Sequence, residues 1–287
     1  MNLITPTAEL WQQKQGLQGM YDHIERCARV CYRSENKGNI TSEEFVKGLI
    51  KREHYRPIEF GTIVFKASEL HEWLDNNNAI MSPYTKVKDG YLITNLRWLI
   101  ETTKDYTDSY EDILAEWSIW NVDVNQYRPT IHWHISRGIA DEFRTHVSLS
   151  SLMESTRYVN YNRVGANGLK DLNNKNNHID FIIPSWYNPN ALNSHEIETA
   201  FGNLENTFAY CERAYSNMID KGFKPQQARE VLPLATATHL VQCGFNKAWN
   251  NFFNQRCSPS AHPDSQYISK QAKELFATIK FNEIQNN

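Results

Sequence analysis

Seven apolar residues, Ile197, Phe201, Leu204, Phe208, Cys211, Tyr215 and Met218, recur at alternating spacings of four and three. No strand tolerates that rhythm, so it predicts one long helix. Asn193 with Glu196 reads as a capping box at its start, and Gly222 closes it. At 1.5 Å per residue such a helix is about 40 Å long, and its stripe needs a packing partner. The partner is the chain's own core or, for so regular a seam, a second subunit.

Shorter signals surround it. Met20, Ile24, Cys27 and Cys31 place a helix over Gly16 to Tyr32, and Thr41 with Glu44 boxes another through Lys51. Pro57 interrupts, and Gly61 to Phe65 reads as a strand. Tyr84–Lys88 and Tyr91–Thr94 flank Asp89-Gly90, a hairpin signal. Asn95 caps a helix from Leu96, and Ser109 to Trp117 forms another. A strand, TIHWHIS, follows Pro129, and Ser136 caps a helix carrying Glu142 and His146, expected to end near Leu149 and give way to a loop. Asn167 to His178 is a polar surface excursion. Strands and helices interleave throughout, so the expected fold is α+β: an antiparallel sheet flanked by helices.

The 287 residues, 40% of them hydrophobic, suit a single domain over 1–287. A net charge of -3 excludes a general nucleic-acid binder. With no signal peptide and no apolar run that spans a bilayer, a cytoplasmic, membrane-free protein is expected. Cysteines 27, 31, 211, 243 and 257 are scattered, which fits reduced thiols rather than disulfides or zinc. Cys27 and Cys31 share a helix face, and His132 and His134 a strand face. Neither pair has a third ligand at recognisable spacing, so no metal is expected.

Chemistry concentrates in FRTHVSLSSLMESTRYVNYN, Phe143 to Asn162. Ser155, Thr156 and Arg157 follow Glu154 directly, bringing two hydroxyls and a guanidinium fork to bear on one anion, a phosphate or carboxylate. A capped helix end with a surface arginine would read the same way. Taken singly, Arg229 is a solvated charge, and Arg256 a cation suited to a helix C-terminus.

Four stretches in order alter that reading. ISRGIADEFRTHVSLSSLMESTRYVNY (135–161) resembles the signature of the flavin-dependent thymidylate synthases, with Ser150, the ESTRY of 154–158 and His146 in register. Thr145 and Val147 stand where that family has arginines, and Arg144 lies one residue upstream. His54, Pro57 and Glu59 resemble the block that opens the family's flavin site. AREVLP (228–233) and GFNKAWNNFFNQR (244–256), followed by Ala261 and His262, resemble its two remaining blocks. Phe245 replaces a common asparagine, and Asn251 keeps a later amide.

The resemblance implies reductive methylation of dUMP to dTMP, with methylenetetrahydrofolate as carbon donor, FAD as hydride carrier and NADPH as reductant, in a homotetramer that shares the flavin between subunits. It assigns the nucleotide to Glu142, Glu154, Ser155, Thr156, Arg157 and Arg229, catalysis at the uracil to Arg256, and flavin contacts to Arg56, Glu59, His146 and Asn251. Cys257 is the thiol to suspect if the chain worked as a folate-only synthase. The replaced arginines leave two other readings open: a related C5 modification of another pyrimidine nucleotide, such as hydroxymethylation, and a non-catalytic nucleotide- or flavin-binding homologue.

Overall fold

The computed structural model describes residues 1–34, 40–67, 82–88, 90–104, 109–162, 178–187 and 195–279. Asp89, Asn193 and the excursion from Asn167 to Asn177 lie outside these. Strands β1 (Asn2–Ile4) and β2 (Thr7–Trp11) lead into α1 (Gly16–Arg29), which tightens into a 3-10 turn through Tyr32, and then α2 (Ser42–Lys51). A 3-10 turn over Pro57–Phe60 precedes β3 (Thr62–Lys66), β4 (Lys86–Lys88) and β5 (Tyr91–Asn95). Next come α3 (Leu96–Thr103), α4 (Tyr110–Trp117), β6 (Thr130–Ser136), α5 (Arg137–Phe143), β7 (Ser150–Met153) and β8 (Asp180–Ile182). The long α6 (His195–Asp220), a short α7 (Pro225–Ala228), β9 (Ala237–Cys243), α8 (Asn246–Arg256) and α9 (Pro263–Ala277) complete it.

The fold is α+β, but it has more than one sheet. β2-β6-β9-β7 is a four-stranded antiparallel sheet, β3-β5-β4 a three-stranded antiparallel one, and β1 pairs with β8 in parallel. One face of the larger sheet presents Ile131, Trp133, Ile135 and Leu240 to Trp249, Phe252 and Phe253 of α8 and to Ile268 and Phe276 of α9. Each such aromatic, removed from water, contributes about 1.5–3 kcal/mol. The smaller sheet packs with α1 to α4 around Met20, Ile24, Leu92 and Leu99. At Gly61 a Cβ would lie 2.5 Å from Ile24 Cδ1, so only glycine lets α1 seat this closely.

The expected caps form. Thr41 closes a full capping box with Glu44, and Asn95, Ser109 and Ser136 accept from the amides of Trp98, Asp112 and Ile139. Gly90 turns the hairpin at φ 79°. The long helix ends at Gly222, whose φ of 89° allows Phe223 N to donate to Met218 O. Its stripe is used internally: Phe208 stacks on Phe181 at 4.7 Å, and Tyr215 meets Tyr161 edge-on at 5.7 Å.

One expectation fails around the signature. The helix after Ser136 stops at Phe143 rather than Leu149, and Ser150–Met153 is a strand rather than a loop. Its antiparallel pairing to β9, Ser150 with Cys243 through Met153 with Leu240, supplies backbone partners that no local pattern announces. Buried Gln242 also donates to Ser151 Oγ at 3.0 Å.

Candidate active site

The turn from Arg144 to Val147 reaches three places at once. Arg144 faces a cleft lined by Arg56, Arg137, Ser155, Thr156, Arg157 and Arg229. Thr145 and His146 turn to Arg256. Val147, 95% exposed, stands on the rim of a second cleft with Glu59, Ser148, Ser150 and Phe245.

The first cleft is an anion site by its charge. Five guanidinium groups ring it, and the carboxylates that offset them are few. Arg144 meets Asp141 at 3.4 Å and Arg229 meets Glu230 at 3.5 Å, both exposed pairs worth little. Thr156 Oγ1 accepts from Arg229 Nη1 at 3.3 Å, which ties the β9-side arginine to the Ser155–Arg157 turn. Backbone anchors the turn as well, Ser155 N donating to Cys31 O at 2.9 Å.

Glu154 belongs to the wall of this cleft, but its carboxylate is already engaged. Its Oε2 accepts from Arg33 Nε and its Oε1 from Tyr161 Oη, each at 2.7 Å, with the carboxylate fully buried. It holds the turn in place. Arg137 was not singled out from sequence, although a signal existed: a cation at the first position of a helix opposes the helix dipole. Here it lies between Thr238 Oγ1, at 3.5 Å, and the cleft.

Arg256, at the end of α8, is held on several sides. Nε donates to His146 Nε2 at 2.9 Å, Nη1 to Glu142 Oε2 at 2.8 Å, and Nη2 to the Glu142 carbonyl at 2.7 Å and Thr145 Oγ1 at 3.1 Å. Arginine can only donate, so His146 carries its proton on Nδ1. Burial, then the charge of Arg256, lowers the His146 pKa to about 4, so the ring stays a neutral acceptor. It packs on Phe252 at 4.8 Å. His146 is therefore a support for Arg256 and is buried, where a direct flavin contact was expected. Asn251 is exposed and accepts from Gln255 at 3.2 Å. Neither residue lines the two clefts above.

The second cleft suits a flat, acceptor-rich group. Arg128 lies in its wall with Nε buried and unpartnered, Phe245 and Tyr84 offer ring surfaces, and the Ser148 hydroxyl lies at its edge. Arg56 lines both clefts and donates through Nε to Ser151 O at a long 3.4 Å. These residues fit a flavin. Glu59 is in the wall too, but Arg97 at 2.6 Å and Ser150 at 2.5 Å engage its two oxygens. His54 is exposed. Burial raises the Cys257 pKa, which weakens it as a nucleophile.

Residues 124–279 match the family model described as thymidylate synthase complementing protein. The span covers more than half of the chain, including Glu142, the 154–157 turn, Arg229 and Arg256. The chain belongs to the flavin-dependent thymidylate synthase family. It is 26% identical over 181 residues to the flavin-dependent thymidylate synthase of Synechocystis sp., covering 60% of this chain and 75% of that one. Its fold is similar to the UMP/dUMP methylase PolB from Streptomyces cacaoi bound with 5-Br UMP (TM-score 0.47, 13% identity, 96% of this chain and 91% of that one). The same methylase bound with 5-Br dUMP gives a TM-score of 0.44 at 13% identity, covering 96% and 92%. As a family member the chain is a methyl-transferring enzyme. Arg56 and Glu59 precede the matched span. No described helix is long and apolar enough to cross a membrane, and among the described residues no group of three His, Cys, Asp or Glu could hold a metal.

Proposed function

We propose that this chain methylates C5 of dUMP reductively, taking the carbon from methylenetetrahydrofolate and the reducing equivalents from NADPH through FAD. The observation that carries the reading is the junction at Arg144–Val147, where an arginine-ringed anion cleft, the fixed Arg256 and the second cleft, walled by Arg128, Tyr84 and Phe245, meet on one turn.

Arg157 and Arg229, with Ser155 and Thr156, bind the 5′-phosphate dianion, and Arg137 and Arg144 add charge around it. Charge-assisted, forked contacts suit this role. Arg256, with its orientation set by Glu142 and His146, stabilises negative charge developing on the uracil ring. A preorganised cation of this kind contributes several kcal/mol to barrier lowering, about 3–4 kcal/mol where single donors have been removed. When bound, FAD supplies hydride chemistry, and Arg56, Arg128 and Ser148 are the groups that would hold it. The C5 hydrogen leaves as a proton while the methylene carbon and a hydride arrive and tetrahydrofolate is released, so the product carries a methyl group in place of the C5 hydrogen of dUMP. A homotetramer that shares the flavin, in the cytoplasm, belongs to the same reading.

The test is mass analysis of the nucleotide after incubation with FAD, NADPH, methylenetetrahydrofolate and dUMP. A product one methyl group heavier is expected. Unchanged dUMP with NADPH consumed would overturn it in favour of another pyrimidine or carbon donor, the reading that Thr145 and Val147 favour. No reaction and no bound flavin would favour a non-catalytic homologue.

A further inference from the structure

Thr145 occupies a position where a family arginine is expected, and it is not a bystander. Its Oγ1 donates to the Glu142 carbonyl at 2.7 Å, and that commits its only proton. The oxygen therefore presents a lone pair to Arg256 Nη2 at 3.1 Å, and the same Nη2 also donates to the Glu142 carbonyl at 2.7 Å. Hydroxyl, carbonyl and guanidinium close a triangle whose donor directions are all fixed. With His146 on Nε and the Glu142 carboxylate on Nη1, all three nitrogens of the Arg256 guanidinium are engaged by residues 142, 145 and 146.

We propose that Thr145 is a positioning residue that locks the Arg256 guanidinium against residues 142–146. An arginine at 145 could not close this triangle: it has no acceptor to offer, and it would set a like charge against Arg256. The inference rests on the role given to Arg256 under Proposed function.

Thr145→Val keeps the shape and deletes the hydroxyl, while Thr145→Ser restores it. In Thr145→Val, kcat falls about fivefold with KM for dUMP nearly unchanged, the effect of one ordinary hydrogen bond on an oriented group. Nitrogen NMR of the His146 ring supplies a readout independent of turnover. As Arg256 loosens, the ring loses its fixed Nδ1–H tautomer and its titration moves up by the smaller part of the depression that the Arg256 charge supplies, burial supplying the larger, whereas Thr145→Ser behaves as the parent. Parent-like tautomer and titration in Thr145→Val would overturn the proposal. If the parent protein does not methylate dUMP, the functional reading fails, yet the His146 titration, recorded without substrates, still decides the role of Thr145.

Discussion

Ser150 Oγ lies 2.5 Å from Glu59 Oε2, joining the strand that follows the signature turn to the 3-10 turn more than ninety positions earlier in the chain. The other carboxylate oxygen of Glu59 is 2.6 Å from Arg97 Nη1, and only 3% of its side chain is exposed. Its backbone carbonyl receives Arg128 Nη2 at 3.0 Å. Glu59 therefore stands at the centre of a network that builds the second cleft, each of its carboxylate oxygens already holding a neighbour.

Glu59→Ala should accordingly act on stability before it acts on chemistry. Removing one partner of a buried pair costs about 3–5 kcal/mol, and the lower end applies because Arg97 keeps Glu101 at 2.8 Å. Guanidinium unfolding measures it. Glu59→Gln, which keeps a group for Ser150, should lose less. Full stability in Glu59→Ala together with loss of flavin would instead make the carboxylate a direct cofactor ligand.

A second prediction separates scaffold from substrate contact within the 154–157 turn. Glu154 and Arg33 have side chains 0% and 4% exposed, and Tyr161 completes the set. Glu154→Gln leaves Arg33 buried opposite a neutral amide, so a loss of about 3 kcal/mol in stability is expected. In the fraction that folds, affinity for a nucleotide monophosphate should stay within about twofold of the parent, since the Glu154 carboxylate is committed to Arg33 and Tyr161 while Arg157 and Arg229 present charge to the cleft. Calorimetric titration with dUMP beside thermal unfolding distinguishes the two effects. A tenfold loss of affinity at parental stability would return Glu154 to the binding set.

Features held by neighbours in sequence could be read in advance. Thr41, Asn95, Ser109 and Ser136 cap helices because a short side chain reaches an amide three residues on, a purely local event. The stripe of α6 was legible for the same reason. What escaped was long-range. The Ser150–Met153 strand exists because of Leu240–Cys243, and its own residues carry no alternation. Glu59 and Glu154 sat in the right segments, but Arg97 and Arg33, which occupy their oxygens, could not be paired with them from spacing. His146 was legible as a chemical residue, while its use as an acceptor for Arg256 depends on α8 returning to the turn. Arg137 joined the cleft only once β6 and β9 had fixed where α5 begins.

The buried histidines make a prediction about acid. On the second face of the larger sheet, Trp11 stacks on His132 at 4.3 Å, His132 on His239 at 5.1 Å, and His239 on His134 at 4.1 Å, with His132 Nε2 2.9 Å from His239 Nδ1. Burial, then nearby Arg33, lowers the His134 pKa to about 4, and burial lowers His239 as well. Burial among Arg26 and Arg128 lowers His23 to about 3, and His146 lies at about 4. In each case the folded ring refuses a proton that the unfolded chain accepts below about 6.5. Between pH 6.5 and 4 the unfolded state thus binds more protons, and stability must fall as pH falls through that window. Above it these groups contribute no slope. Glu9, held near 2 chiefly by its hydrogen bonds from His132 and Trp11, adds a loss in the same direction at still lower pH. Urea midpoints measured from pH 8 to pH 4.5 should therefore be flat down to about 6.5 and then decline steadily. His134→Asn, which removes one of the refused protons, should make that decline shallower. A midpoint constant from pH 7 to pH 5 would show that the stacked rings accept protons in the folded state, and the sheet face would then have to open to let them in.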